Sequence, residues 1–318
     1  MKPRRRFRFR LRNFAVLAAG ALAALTALTG MVTGAGEARA AANCFPLVGL
    51  PDGPQYAQGP GGGAMFARAP AAAPNASPVA RISLQSAQAA PPMPTLLSRD
   101  TVELSFLGHS SFLIRTPQNV TVVTDYNGVN RAPFAPDIVT MNHAHSSHYT
   151  DFVEPGVKHL LRGWATPPKG YPRHNLMLRD LRVRNVATDI RDYSGGTEYA
   201  GNSIFIFEVG DLCLAHFGHL HHDLDADRLG RMGQIDVAMV PVDGSMTLPH
   251  EDMANAVGKV GPKMVVPMHA FGAYSLQRFT GLMQDRGYAV RRVDGPRFVV
   301  TRPMLKQKTV LVFPEELF

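Results

Sequence analysis

The stretch "VTMNHAHSSHYTDF" runs from Val139 to Phe152 and holds three histidines within six residues, His143, His145 and His148. It overlaps the apolar run "PDIVTMN", which predicts a short buried strand. Alternation along an extended turn points His143 and His145 to the same side, so the two imidazoles can share one metal ion. His148 follows a further turn and faces another direction, where it can bind a second ion. The stretch therefore predicts half of a metal site.

A second histidine-rich stretch, "HFGHLHH" from His216 to His222, follows another strand-like run, and His269 ends a third run, "KMVVPMH". Strand ends that meet at one sheet edge are places where sites form, because loops vary there while the sheet holds them. We therefore expect His219 and His269 to complete the site. The predicted metal ligands are His143, His145, His148, His219 and His269.

The predicted cofactor is one or two zinc ions, because imidazole nitrogen binds Zn²⁺ well, and other divalent metals are alternatives. Isolated histidines such as His159, His174 and His250 are expected on the surface or in structural hydrogen bonds. His109, in "FLGHSSF", also ends a strand-like run, and the sequence leaves open whether it supports the ligands or only the fold.

Strand-like runs dominate the first half of the ordered part of the chain, and strands alternate with helices in the second half. "VELSFLGHSSFLIRT" and "VTVVTDY" predict strands around a turn, and "NSIFIFEVGDLCLAHFG" predicts two strands joined at Gly210-Asp211. "PHEDMANAVGKVG" and "LQRFTGLMQDRG" predict helices, and "TVLVF" a final edge strand, whereas residues 156–165 and 175–182 are irregular. The pattern favours a layered α/β (α+β) fold, with helices outside the sheets.

These residues and their order resemble the metallo-β-lactamase superfamily, whose signature T-H-x-H-x-D-H follows a strand. The blocks "LGHSSFLI", "VVTDY", "MNHAHSSH", "LAHFGHLHH" and "VVPMHAFG" resemble successive blocks of its compact, lactonase-like, single-domain members. The resemblance covers roughly residues 102–300. It implies an αββα sandwich with a metal site at one sheet edge.

Two departures from the family pattern affect the site. Ser147 stands where the signature has Asp, and His219 stands where related "HLGDLGH" blocks have the Asp that bridges two metals. Imidazole cannot bridge two ions as a carboxylate does. A further histidine expected between the two clusters is replaced by Asp189 and Asp192. The resemblance therefore supports the fold and the ligand positions more strongly than it supports catalysis by two metal ions.

The predicted function is a metal-dependent hydrolase in which metal-bound hydroxide attacks an ester, a lactone or a phosphodiester. A general base is expected among His148, His221 and His222, with Asp192 behind them. The predicted catalytic residues are His148, His222 and Asp192. Because both acids are replaced, the alternative is a non-catalytic metal-binding sensor or interaction protein on the same scaffold. A serine hydrolase has less support, since "GHSSF" lacks the second glycine of a nucleophile elbow.

The first 40 residues have the pattern of a secretory signal peptide: a basic start, an apolar stretch from Phe14 to Leu28, and a small-x-small site at Ala38–Ala40. We expect export, to the periplasm or out of the cell. "RRRFRF" resembles a twin-arginine signal, but Arg8 interrupts it and leaves the route open. Residues 41–98, rich in Ala, Pro and Gly, are expected to form a flexible tether, and residues 99–318 the folded domain. No integral membrane domain is expected after cleavage, because the apolar stretch is shorter than the about 20 residues that a span needs.

The formal net charge of +8 belongs mostly to the N-terminal segment. Residues 41–318 hold 25 basic and 24 acidic residues, a net charge of +1, which gives no support for nucleic-acid binding. The predicted partner is a small-molecule substrate, and the sequence leaves the oligomeric state open. The two cysteines are expected as thiols rather than as a disulfide, Cys44 in the tether and Cys213 in the core.

Overall fold

The structure is a computed structural model, which describes Cys44 and residues 55–56, 97–98, 100–166, 170–192 and 194–318. The predicted signal peptide, residues 1–40, and most of the predicted tether, residues 41–98, lie outside the described residues, so both boundaries stay predictions. Apart from one short strand, the described strands and helices lie within the predicted domain, residues 99–318.

The strands of the described residues form two sheets that pack face to face. In chain order they are β1 (Gln55–Tyr56), β2 (Thr101–Gly108), β3 (Ser111–Arg115), β4 (Thr121–Val123), β5 (Ile138–Met141), β6 (His159–Arg162), β7 (Asn175–Leu178), β8 (Leu181–Arg191), β9 (Thr197–Val209), β10 (Leu212–His216), β11 (Val237–Pro241), β12 (Met264–Met268), β13 (Ala289–Arg292), β14 (Arg297–Thr301) and β15 (Thr309–Val312). The larger sheet has the order β1-β7-β8-β9-β10-β11-β12-β15-β13, and the smaller sheet has the order β14-β2-β3-β4-β5-β6.

Apolar side chains between the two sheets form the central core. Leu104 and Phe106 of β2 face the layer that also holds Phe205 and Phe207 of β9. Successive side chains of a strand point to opposite faces, so alternate residues of β2 and of the end of β9 enter this layer. Burial of each such side chain contributes about 1.5–3 kcal/mol, and this layer holds the two sheets together.

Helices of the described residues pack on the outer face of the larger sheet. They are α1 (Ala226–Met232), α2 (His250–Val260) and α3 (Ala273–Asp285), with 3₁₀ turns at Arg302–Lys306 and Glu315–Leu317. The α2 helix buries Met253 and Val257 and ends at Gly261, whose φ of 70° is a left-handed conformation that glycine adopts without strain. In the described part of the chain, no helix has both the length and the apolar character to cross a membrane.

Loops cover the outer face of the smaller sheet in the described residues. Val139 and Met141 of β5 pack there against Tyr126, Tyr149 and Trp164. The predicted layered α/β sandwich is confirmed. Its outer layers are unequal, with helices over the larger sheet and loops over the smaller one.

Three strands differ from the sequence expectations. β6 and β7 form in the two segments that had no regular pattern, because polar residues such as His159 and Asn175 interrupt their apolar positions. β15, which was expected as a sheet edge, lies between β12 and β13, so β13 takes the edge instead. A short apolar run such as "TVLV" suits either place, and only the pairing partners decide between them.

The expectation of two free thiols is wrong, because Cys44 and Cys213 form a disulfide across a separation of 169 residues. Cys44 is fully buried, and Cys213 lies on β10 of the larger sheet. A second attachment is the parallel pairing of β1 with β7. At these two described points, the segment predicted as a tether is bound to the domain. Its Ala-, Pro- and Gly-rich composition gave no sign of this, since a disulfide depends on proximity in the fold.

Candidate metal centre

Seven histidines come together where strands of both sheets end. His109 follows β2 and His143 follows β5 in the smaller sheet, while His219 follows β10 and His269 follows β12 in the larger sheet. We call this group the histidine cluster. Its members are His109, His143, His145, His148, His219, His221 and His269. The cluster confirms that the strand ends singled out in the sequence meet at one place.

His109, His148 and His269 form the tightest group within the cluster. Each offers a ring nitrogen, and these three atoms lie within 4.8 Å of one another. The ring centroids of His109 and His269 are 4.1 Å apart, and that of His148 lies 5.4 and 5.2 Å from them. The backbone N–H of His269 donates to the carbonyl oxygen of His109 over 2.7 Å, which joins the ends of β2 and β12. This trio has the spacing of ligands around one ion.

The other predicted ligands surround this trio. The ring of His219 lies 4.6 Å from that of His148 and 5.1 Å from that of His269. His143 lies 5.3 Å from His219, and His145 lies 6.2 Å from His143. All five residues predicted as ligands are therefore in the cluster, within reach of one another.

Two buried carboxylates lie against rings of the trio. Asp125 Oδ2 lies 2.7 Å from His148 Nδ1, and Asp243 Oδ2 lies 3.3 Å from His269 Nδ1. Burial raises the pKa of Asp125, but the neighbouring His148 outweighs burial and keeps the pKa below its usual range. Asp243 behaves similarly: burial raises its pKa, and contacts with His269 and Thr247 lower it further than burial raises it. The ionised Asp125 thus accepts a hydrogen bond from His148 Nδ1–H, which leaves the Nε2 lone pair of His148 free for a metal. The carboxylate of Asp243 lies near His269 Nδ1 but forms no hydrogen bond with it.

The backbone around the trio is strained. His109, Asp125 and His269 have φ values of 53°, 46° and 54°, in the left-handed region that residues with a Cβ rarely adopt. Each such residue costs about 1–3 kcal/mol and persists only where the surrounding structure enforces it. The fold therefore tolerates strain at three positions that set the directions of His109, His148 and His269.

Two of the cluster histidines, His109 and His143, are held neutral, which metal binding requires. Burial and neighbouring histidines lower the pKa of His109 to about 4, and burial, the largest cause, lowers the pKa of His143 to about 4. His143 Nδ1 lies 2.8 Å from the carbonyl oxygen of Gly201, which can only accept. His143 therefore carries its proton on Nδ1 and presents the lone pair of Nε2.

Unpaired ring nitrogens show that these residues fit a metal. Among the described residues, twelve buried side-chain nitrogen or oxygen atoms have no hydrogen-bond partner, and six of them are histidine nitrogens. They belong to His109, His148, His219, His221, His222 and His269. Buried polar atoms are nearly always paired, so a concentration of exceptions calls for a ligand that supplies the missing contacts. Nitrogen donors in this number suit an ion such as Zn²⁺.

A match to a family model identifies the family of this chain. Residues 103–269, more than half of the chain, match the model of the β-lactamase superfamily domain. The chain belongs to the metallo-β-lactamase superfamily. It is similar to metal-dependent hydrolases of Carboxydothermus hydrogenoformans, at 26% identity over 59% of this chain and 93% of the relative, and of Desulforamulus reducens, at 28% identity over 53% and 84%. A solved structure of a Thermotoga maritima member of the superfamily has a TM-score of 0.49 and 22% identity, and covers 67% of this chain and 98% of its own.

Ser147, which replaces the Asp of the superfamily signature, makes a local contact. Its hydroxyl lies 2.8 Å from His145 Nδ1, and its backbone nitrogen lies 3.4 Å from the same atom. A backbone N–H can only donate, so Nδ1 of His145 accepts and the neutral ring carries its proton on Nε2. His145 is also exposed, unlike His148. The geometry therefore supports His145 as a ligand less than it supports the trio.

The predicted catalytic residues lie in different settings. His148 uses Nδ1 for Asp125 and presents Nε2 to the trio, so its geometry favours a ligand over a base. His222 is half-buried, with an unpaired Nε2, and lines a cavity of about 910 Å³ beside the cluster. Asp192 Oδ1 accepts hydrogen bonds from the backbone of Ser194 and Gly196, so this carboxylate closes a turn.

Three residues of the candidate metal centre were not predicted from the sequence of this superfamily member. They are the carboxylates Asp125 and Asp243, and His109 as a member of the trio. His109 and Asp125 both lie in blocks that resembled the family, "LGHSSFLI" and "VVTDY", which was the available signal. Asp243 ends the apolar run "IDVAMVPVD" and comes two residues after β11. Its position at a strand end was a signal of the same kind as the one that singled out the histidines.

Proposed function

We propose that this protein is a metal-dependent hydrolase that acts on a small ester, lactone or phosphodiester. The main observation in support is the trio of His109, His148 and His269, whose ring nitrogens lie within 4.8 Å of one another in a superfamily domain. The relatives of Carboxydothermus hydrogenoformans and Desulforamulus reducens, which are named metal-dependent hydrolases, support the same reading. The near-neutral domain charge gives no support for a nucleic-acid substrate.

Zinc is the proposed metal because the donor set is imidazole. Ca²⁺ and Mg²⁺ take oxygen ligands, whereas Zn²⁺ and similar ions take nitrogen. A metal ion bound here would supply a Lewis acid for the substrate and an acidified water at neutral pH. Asp125 and Asp243 would orient His148 and His269, and burial would keep bulk water away from both rings. His222, with its unpaired Nε2 on the cavity wall, is the proposed group for proton transfer.

The test combines metal analysis with turnover. Purified mature protein should contain stoichiometric metal by mass spectrometry and should hydrolyse at least one class in a panel of esters, lactones and phosphodiesters. The variant His148→Ala should lose metal affinity by more than the about 10–100-fold expected for an outer partner of a ligand. His159→Ala, on β6 and outside the cluster, is the matched control and should retain both properties. Absence of metal binding in the wild type would contradict the proposal.

A non-catalytic metal-binding role is the second candidate, favoured by Ser147 and His219 in place of two acids. The discriminating variant restores both acids, Ser147→Asp with His219→Asp. Stoichiometric metal without turnover in the wild type, followed by turnover in this double variant, would support the sensor or interaction role. Turnover in the wild type would exclude it.

Export to an oxidising compartment completes the proposal. The signal-like pattern of residues 1–40 supports it, and so does the disulfide between Cys44 and Cys213, since disulfides persist mainly outside the cytosol. Cell fractionation should find the protein in the periplasm or medium, and maleimide should label its thiols only after reduction. Cytoplasmic protein with reactive thiols would contradict export.

A further inference from the structure

His221 differs from the trio in which ring nitrogen the protein occupies. The backbone N–H of Arg191 donates to His221 Nδ1 over 2.9 Å. A backbone N–H can only donate, so Nδ1 must hold the lone pair. The neutral ring of His221 therefore carries its proton on Nε2, the reverse of His143 and His148.

The Nε2–H of His221 is a buried donor without a partner among the described residues. The ring lies 4.7 Å from the ring of His219, at the border of the histidine cluster. It also lines the cavity of about 910 Å³ that Arg191 and His222 share. The hydrogen bond from Arg191 also fixes the ring as neutral, because an imidazolium has no lone pair on either nitrogen. An unpaired N–H between a ligand cluster and a cavity is placed to meet a molecule in that cavity.

His216 provides the internal comparison for this assignment. Its Nδ1 accepts from the backbone N–H of Gly218 over 3.2 Å, so it has the same tautomer as His221. Its Nε2–H, however, donates to the carbonyl oxygen of Ser110 over 2.7 Å. At His216, where the role is structural, the Nε2–H donor therefore has a hydrogen-bond acceptor within the protein. At His221 the equivalent donor has no acceptor among the described residues.

We propose that His221 is a hydrogen-bond donor to an oxygen of the bound substrate, and neither a metal ligand nor a general base. The inference rests on the proposed function, because the substrate is the one that the histidine cluster would act on. A nitrogen that carries a proton has no lone pair for a metal and cannot accept a proton. The acceptors that fit are a carbonyl oxygen of an ester or lactone and a phosphoryl oxygen. A neutral imidazole fixed in this tautomer needs no reorganisation to stabilise charge that develops on that oxygen.

The first test reads the tautomer without any turnover. Long-range ¹H–¹⁵N correlation spectra of the metal-free and the zinc-loaded protein report which ring nitrogen carries a proton. We expect a protonated Nε2 and an unprotonated Nδ1 for His221 in both states, while Nε2 of His148 shifts on zinc addition. Loss of the Nε2 proton of His221 on zinc binding would overturn the proposal, because it would make His221 a ligand.

The second test uses inorganic phosphate as the probe, because its oxygens are acceptors. Titration of phosphate into the zinc-loaded protein should move the Nε2–H resonance of His221 downfield. The variant His221→Phe, which keeps a ring but removes the donor, should bind phosphate about 10-fold more weakly, while zinc affinity is unchanged. His221→Gln, which can place an amide N–H near the position of Nε2, should recover most of the affinity. An unmoved resonance at saturation, or loss of zinc in His221→Phe, would overturn the proposal.

The third test applies if the wild type turns over a substrate of the panel. Removing one such donor typically costs 10²–10³-fold in kcat, so His221→Phe should lose roughly that factor while KM changes little. His221→Gln should recover part of kcat. Equal kcat in the wild type and His221→Phe would overturn the proposal. A wild type that turns over nothing contradicts the hydrolase, and the two spectroscopic tests still decide the tautomer and the donor role separately.

Discussion

Two buried polar groups in this protein have opposite states of hydrogen bonding. The first, which we call the anchor cluster, comprises Arg184, Glu208, and the main chain of Cys44, Arg231 and Met232. Arg184 Nε donates to Glu208 Oε1 over 2.6 Å, and its two Nη atoms donate to the three carbonyl oxygens. Both side chains are fully buried, and each nitrogen of the guanidinium has a partner. This cluster joins β8, β9, the end of α1 and the segment that carries Cys44.

Four members of the histidine cluster, His148, His219, His221 and His269, are also buried, but a ring nitrogen of each lacks a partner. The same chain that completes every contact of a guanidinium leaves open ring nitrogens of His148, His219 and His269. Unpaired buried groups are costly, so they persist where another molecule completes them or where function maintains them. Burial alone therefore does not distinguish the candidate metal centre from the anchor cluster. The unpaired ring nitrogens distinguish it.

The largest expected effect comes from breaking the anchor cluster with Arg184→Met. Glu208 would keep only Arg182, whose Nη1 lies 3.3 Å away, and three carbonyl oxygens would lose their donor. Breaking a buried pair from one side costs about 3–5 kcal/mol, so the free energy of unfolding in urea should fall by that amount. Zinc affinity should not change, because the anchor cluster is complete without a ligand.

The matched control for this variant is Arg231→Ala. The Arg231 side chain pairs with Asp227 on the exposed face of α1, where an ion pair contributes less than about 1 kcal/mol. Its carbonyl oxygen, which accepts from Arg184, is unchanged by the substitution. Equal losses of stability in the two variants would show that the anchor cluster does not stabilise the fold as its contacts indicate.

The same comparison explains how much the sequence could predict. Histidine density after apolar runs located the histidine cluster, because strand ends and imidazoles are both local features. The anchor cluster could not be predicted, since Arg184 in "LRVRNVATDIR" looks like an exposed residue of an alternating strand. Its burial depends on Glu208 and on Cys44, which only the fold brings near. The disulfide of Cys44 was missed for the same reason.

Within the site, the sequence predicted the ligand type better than the ligand set. Asp125 follows β4 and Asp243 follows β11, whereas the histidines that they face follow the neighbouring strands β5 and β12. Sequence order alone does not show which strands are neighbours in a sheet. The proposed role of His221 also could not be predicted from the sequence, because its tautomer depends on the backbone N–H of Arg191 at the end of β8.

The second prediction uses pH, which acts on the histidine cluster. The pKa values of His109 and His143 are lowered to about 4, so between that pH and the unfolded value of about 6.5 the unfolded chain binds more protons. The stability of metal-free protein should therefore fall as the pH falls from 7 to 5. After allowance for partial exposure, we expect about 1–2 kcal/mol for each of the two residues at pH 5.

Urea unfolding of metal-free protein at pH 7 and pH 5 measures this effect. The variant His109→Gln with His143→Gln is the control, because it lacks these two titrating groups and should lose their share of the pH dependence, whereas His219 and His221, whose pKa values are also lowered, keep theirs. The acidic window below pH 4 is avoided, since Asp125 and Asp243 also begin to titrate there in the unfolded chain. The same slope in the wild type and the double variant would show that other groups carry the pH dependence.

The smallest expected effect tests the link between a carboxylate and a ligand. Asp125→Asn keeps the shape of the side chain and an oxygen for the backbone N–H of Asn142, but removes the charge that faces His148 Nδ1. Outer partners of this kind typically contribute 10–100-fold to metal affinity, so zinc should bind about 10–100-fold more weakly in competition with a chelator. Asp180→Asn is the matched control, since Asp180 is also buried but accepts from Thr116 and Gln118 rather than from a histidine. Unchanged zinc affinity in Asp125→Asn would mean that His148 is not held as a ligand, and the unpaired nitrogens would then need a different occupant.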